Sequence, residues 1–77
     1  MRVVLYSREG CHLCETARAV IVAERSRSAF AFEEVDIETS DELVRKYGIR
    51  IPVVTVDGDE RFEIEVDPVA FAAAVRR

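Results

Sequence analysis

Both cysteines and the single histidine of this 77-residue chain fall within four consecutive residues, Cys11-His12-Leu13-Cys14. A thiol pair at that spacing can cycle between dithiol and disulfide, sit inert in a core, or contribute to a metal site. The surroundings favour the first. The apolar run Val3-Val4-Leu5-Tyr6 stands before the pair, Gly10 allows a turn, and a helical pattern begins at Leu13. Strand, tight turn and helix in that order put Cys11 at a helix N-terminus, where unpaired backbone N–H groups and the helix dipole favour negative charge. The thiolate is the charged form of cysteine, so the Cys11 pKa is expected to fall. Cys14, three residues on, shares a helix face with it, and the two sulfurs can close a small ring. Cys11 is then the nucleophile and Cys14 the resolving thiol that attacks the mixed disulfide.

Neighbouring residues divide between tuning and plain solvation. His12 can act as a cation that stabilises the thiolate, or stand in solvent in the first turn with little effect. Arg8 can add positive potential at the thiolate or steer an anionic partner; its other reading is a solvated loop arginine. Zinc held by Cys11, His12 and Cys14 would have three ligands where structural zinc takes four, so no metal and no permanently bound cofactor is expected.

Composition narrows the class. Net charge is −4, with 49% hydrophobic and 34% charged residues, which fits a globular domain and not a disordered chain. The lysines and arginines are scattered, so nucleic acid is not an expected partner. The apolar run Val69 to Val75 is too short to span a bilayer, and Met1-Arg2 leads directly into a strand-like run with no leader pattern. The expectation is a cytoplasmic monomer of one domain, residues 1–77, with no membrane contact. A chain of this size buries only about 60% of its unfolded surface. In the cytosol, paired cysteines point to chemistry before structural stapling.

The elements that must position the pair follow in order. Residues 2–6 read as a buried strand. A helix from Cys11 to Arg25 carries Leu13, Ala17, Val20 and Ile21 on one face. Phe30 to Ile37 reads as a second strand. Thr39-Ser40-Asp41-Glu42 fits a capping box opening a helix with Leu43, Val44 and Tyr47 inside and Gly48 as its stop. Ile51-Pro52 opens a third strand, Val53 to Val56, since proline tolerates a strand's first position. Asp57-Gly58 is a hairpin turn into Arg61 to Ile64. Asp67-Pro68 reads as cap and first residue of a last helix that runs to the C-terminus with Phe71, Ala72 and Val75 inward. The order β-α-β-α-β-β-α gives an α/β fold. Its first two strands are parallel, its last two form an antiparallel hairpin, and helices cover both faces of a four-stranded mixed sheet.

This order, with Cys-x-x-Cys between first strand and first helix, resembles the thioredoxin-like fold, and within it the glutaredoxins and small glutaredoxin-like proteins. Leu5-Tyr6-Ser7-Arg8 followed by Cys11-His12-Leu13-Cys14 carries the likeness at the dithiol. Gly48-Ile49-Arg50-Ile51-Pro52-Val53-Val54 is similar to the family's segment with a cis-proline. The likeness implies a thiol–disulfide oxidoreductase acting on a disulfide-containing protein and re-reduced by a thiol donor, either a thioredoxin-reductase-type system or glutathione. It also implies a cis Ile51-Pro52 bond that presents the Ile51 backbone to substrate, with Arg50 and Tyr6 as further groove candidates. Tyr6 has a second reading as core-edge packing, and Arg50 as a solvated residue. Where glutaredoxins carry Gly-Gly-Asp this chain reads Glu63-Ile64-Glu65-Val66-Asp67, and His12-Leu13 replaces their Pro-Tyr. Glutathione is therefore expected to be a poor ligand. A redox sensor or binding module that reacts once, without turnover, is the alternative in a different class.

Overall fold

In the computed structural model, which describes residues 1–76, four strands and three α-helices alternate as the sequence implies. β1 (Arg2–Ser7) is followed by α1 (His12–Arg25), β2 (Ala31–Asp36), a 3₁₀ turn (Ile37–Thr39), α2 (Asp41–Tyr47), β3 (Val53–Val56), β4 (Asp59–Glu63) and α3 (Pro68–Val75). The sheet order is β2-β1-β3-β4. β1 runs parallel to β2 and antiparallel to β3, and β3 is antiparallel to β4.

Alternation along the strands sorts the core into two layers. Val3 and Leu5 of β1 with Val54 and Val56 of β3 pack under Ala17 and Ile21 of α1 and Phe71 and Val75 of α3. Phe71 is fully buried, with Phe30 edge-on at 5.8 Å and Phe62 tilted at 5.9 Å. The opposite face holds Val53, with Tyr6 beside it, against Ile37 and the α2 residues Leu43, Val44 and Tyr47. The thin core thus has a large layer under two helices and a small one under a single short helix.

Several boundaries move for local reasons. β2 stops at Asp36, one residue before Ile37, because the Asp36 carboxylate accepts the Glu38 N–H at 2.9 Å and starts the 3₁₀ turn. The inner line of α1 is Cys14, Ala17, Ile21 and Glu24. Leu13, expected on that line, is 46% exposed: it sits one residue, or about 100° of helical rotation, ahead of Cys14. Gly48 does not adopt the left-handed conformation usual for a helix-ending glycine; its φ is −48°. Its missing side chain serves a different need, since a Cβ there would lie 2.5 Å from the Val44 carbonyl oxygen. The hairpin turn at Asp57-Gly58 has positive φ at both residues (51° and 89°), and β4 starts at Asp59, two residues before the expected Arg61. A bulge lies between Val54 and Thr55 in the pairing with β4. α3 ends at Val75, short of the chain end; Arg77 lies outside the described residues.

Candidate redox site

β1 delivers the chain to Ser7, and a turn through Arg8 and Gly10 reverses it into α1. Gly10 sits at φ 80°, a conformation that costs a side-chain-bearing residue, and the Cys11 N–H bonds the Arg8 carbonyl at 3.3 Å. Cys11 occupies the N-cap itself. Its Sγ accepts the Cys14 backbone N–H at 3.1 Å, while its carbonyl accepts the Glu15 N–H. The two cysteines are joined as a disulfide, with Cα atoms 5.2 Å apart. Cys14 is fully buried and Cys11 half-buried. The sulfur at the helix end is thus the accessible one, and a backbone donor already points at it.

Antiparallel pairing of Tyr6 with Val53 brings the start of β3 beside the end of β1. Ile51-Pro52, just before β3, is a cis peptide, as the family likeness implies, and Pro52 is fully buried. The Ile64 N–H is shared between the carbonyls of Pro52 (2.9 Å) and Arg50 (3.3 Å). Neither the N–H nor the C=O of Ile51 is hydrogen-bonded to another described residue. Ile64 itself holds φ 68°, an outlier for a β-branched residue.

The remaining sequence candidates separate. The His12 side chain is 97% exposed, with Nδ1 3.9 Å from a Glu15 carboxylate oxygen. Arg8 Nε is 2.8 Å from Glu38 Oε1, a charge contact without hydrogen-bond alignment, so its charge is largely offset. Arg50 donates to Glu60 at 2.8 Å and to the Lys46 carbonyl at 3.2 Å, and lies over the Tyr47 ring at 5.4 Å. That bond to Arg50 holds the Glu60 carboxyl below its ordinary value. Tyr6 stacks on Tyr47 at 4.4 Å, and burial raises its phenol pKa, with Tyr47 adding to the effect. Tyr6 and Arg50 are brought together at Tyr47 on the α2 side.

Two polar clusters escaped the sequence reading. Ser7, buried at the end of β1, donates to Glu34 Oε2 at 2.7 Å, and Arg18 grips the same carboxylate with two bonds of 2.6 Å. Arg18 first, and Ser7 after it, hold the Glu34 carboxyl below the usual range. This ties β1, β2 and α1 together one helical turn beyond Cys14. Glu24 is buried in α1, bonded to Ser28 (2.6 Å), Arg76 (2.8 Å) and Arg27 (3.4 Å). Its spacing from Ala17 and Ile21 was the available signal. Among the described residues no group of three or more His, Cys, Asp or Glu side chains could hold a metal ion, and no helix is long and apolar enough to cross a membrane.

Fold and site together define a thioredoxin-like domain with a Cys-x-x-Cys pair at the start of its first helix, and a redox-related role goes with it. Residues 2–75 match the glutaredoxin-like domain family (DUF836), and the chain belongs to that family. It is similar to a Nitrosomonas europaea protein solved by solution NMR, with 34% identity over 97% of this chain and 91% of that one and a TM-score of 0.81. A structural-genomics target from X. campestris is 30% identical over 94% and 92% of the two chains, with a TM-score of 0.75. A mutant thioredoxin from Halobacterium salinarum shares the fold at 20% identity, covering 96% and 70%, with a TM-score of 0.68. No curated protein matches this sequence.

Proposed function

We propose that the Cys11–Cys14 pair is a cycling dithiol that reduces disulfides of protein substrates. The observation that carries this reading is Cys11 Sγ at the N-cap, accepting the Cys14 N–H at 3.1 Å. In the disulfide that sulfur is neutral. On reduction the same donor and the open end of α1 face a thiolate and stabilise it. The Cys11 thiolate attacks one substrate sulfur, and the other leaves as a thiolate and takes a proton. Cys14, as its thiolate, then attacks Cys11 Sγ, breaks the mixed disulfide and releases the second substrate sulfur, which is protonated in turn. Two electrons and two protons pass from the domain to the substrate, and a separate thiol donor restores the pair. The unpartnered N–H and C=O of Ile51 are available to bond an extended substrate strand beside the dithiol. Arg8 and His12 tune the site weakly, the first offset by Glu38 and the second in open solvent. Arg50 and Tyr6 support the Ile51-Pro52 turn through Tyr47. The domain acts in the cytoplasm as a monomer and holds no cofactor.

Glutathione fits poorly in this reading. An anion at the start of α3 would need its free N–H groups. Pro68 has none, Ala70 donates to the Asp67 side chain at 2.8 Å, and Phe71 donates to the Asp67 carbonyl at 2.9 Å, which leaves only the Val69 N–H in the first turn. Glu65 and Val66 add charge and bulk there. A thioredoxin-reductase-type donor is the better match for re-reduction.

Steady-state reduction of a looped peptide disulfide, with dithiothreitol as reductant, tests the proposal. Many turnovers per domain are expected; a single stoichiometric exchange would instead make the domain a sensor. The midpoint potential against a glutathione buffer fixes the direction, with a value near that of reducing thioredoxins expected for a reductase.

A further inference from the structure

A groove of about 530 Å³ lies between the first turns of α1 and the β4–α3 connection, lined by Leu13 from between the two cysteines though by neither cysteine itself. Leu13, Phe62, Ile64 and Pro68 make its apolar walls. Among the described residues its charged lining is Glu65 and Asp67, with no lysine, arginine or histidine. Pro68 also borders a second depression, which runs along α3 past Val69 and Ala73. α3 contains no polar residue at all, and Val69 is 78% exposed. A helix apolar on every side belongs under cover, yet this one meets solvent along its outer face. At its far end Arg27 and Arg76 converge on Glu24, at the end of the helix opposite Asp67.

Resting on the function proposed above, we infer that the dithiol's partner is a protein segment with an apolar side chain beside its disulfide and lysine or arginine next to it. The apolar side chain enters the Leu13–Ile64–Pro68 groove, the cation meets Glu65 and Asp67, and the partner's body covers Val69 on α3. Charge of this kind sets choice of partner and association rate. It also disfavours anionic disulfides such as oxidised glutathione.

The test uses the pre-reduced full chain and three substrates: a looped disulfide peptide with leucine beside one cysteine and flanking lysines, the same peptide with glutamates for lysines, and hydroxyethyl disulfide. Rates are read by mass spectrometry of the released thiols and normalised to hydroxyethyl disulfide. The lysine peptide should react about tenfold faster than the glutamate peptide at low salt, a gap that narrows as salt screens the charges. Glu65→Lys, which leaves Asp67 opposed by one cation, should abolish most of the preference. Val69→Lys should lower the normalised rate of the lysine peptide. Equal rates for the two peptides, with both still reduced, would overturn this inference and leave the oxidoreductase standing. Failure to reduce any of the three would remove the oxidoreductase and this inference with it. A concentration-dependent dimer that Val69→Lys dissolves would assign the α3 face to a second copy of the chain and overturn the inference by that route. Glu65 and Val69 are both exposed, so neither variant threatens folding.

Discussion

α1 and α3 lie on the same face of the sheet, and their first residues border the same groove. Each begins with a side chain that accepts the backbone N–H three residues ahead: Cys11 Sγ from Cys14, and Asp67 Oδ2 from Ala70. The two caps differ in chemistry. Asp67 caps with a side chain that the redox state of the dithiol does not alter, and the proline after it has no N–H to offer, so that helix end keeps only the Val69 N–H for a further anion. Cys11 is a cap whose charge depends on redox state: neutral as a disulfide, negative as a thiolate. Two helix ends of one design thus become a fixed structural stop and a chemical switch, and the residue types at the cap and just after it decide which.

Exchanging the caps' chemistry has the largest effect on the switch. Cys11→Ser keeps a good N-cap and so should keep the fold, yet disulfide reduction should drop to background. Cys14→Ser should accumulate mixed disulfides with substrate, seen as added mass by intact mass spectrometry. Survival of turnover in Cys11→Ser would show that the cap is not the nucleophile.

Selectivity within the pair comes next. In reduced protein, iodoacetamide should label Cys11 at least about tenfold faster than fully buried Cys14. The pH at which labelling reaches half its limit should lie below the ordinary cysteine value of about 8.5, because the thiolate is the form that the helix end favours. Faster labelling of Cys14 would invert the roles.

The fixed cap predicts a smaller change. Asp67→Ala should lower stability by about 1 kcal/mol in urea unfolding, while Asp67→Ser should recover most of it. Chemical-shift titration should show oxidised glutathione binding better to the serine variant than to the parent, because an anionic rim charge is gone.

The smallest effect concerns the tie behind the switch. Glu34 is held below its ordinary value of 4.5, chiefly by Arg18. Its contribution to stability is therefore complete above that value and is lost as pH falls through the lower, folded value. Acid unfolding followed by circular dichroism should show a shallower loss below pH 4.5 in Arg18→Gln than in the parent, since the variant has already lost the interaction.

Much of this was legible beforehand because it depends on local chemistry. Cys11 at a helix start, Asp67-Pro68 as cap and first turn, Asp57-Gly58 as a hairpin and Pro52 at the mouth of β3 all follow from what those side chains do to their own backbone. What escaped depended on contacts distant in the chain. Leu13 seemed core because it is apolar and at helical spacing, but the sheet selects the line through Cys14. The burial of Glu24 depends on Arg76, fifty-two positions on, which bonds its carboxylate. Arg50 could serve the groove or stand in solvent on sequence alone, and its bond to Glu60 and its place over Tyr47 come from elements remote in the chain. Gly48 was read for a left-handed turn and is needed instead for clearance from Val44.

Ile64 carries a consequence for how this surface can drift over generations. Its φ of 68° is a conformation that glycine takes freely and a β-branched residue takes at a cost of about 1–2 kcal/mol. Ile64→Gly would release that backbone strain but give up the covered part of a bulky side chain, 40% exposed, on the wall of the groove. Backbone strain and the shape of that wall therefore pull position 64 in opposite directions. A library selected only for folding should tolerate glycine or asparagine there, and a library selected for exchange with a partner should hold to a branched apolar residue.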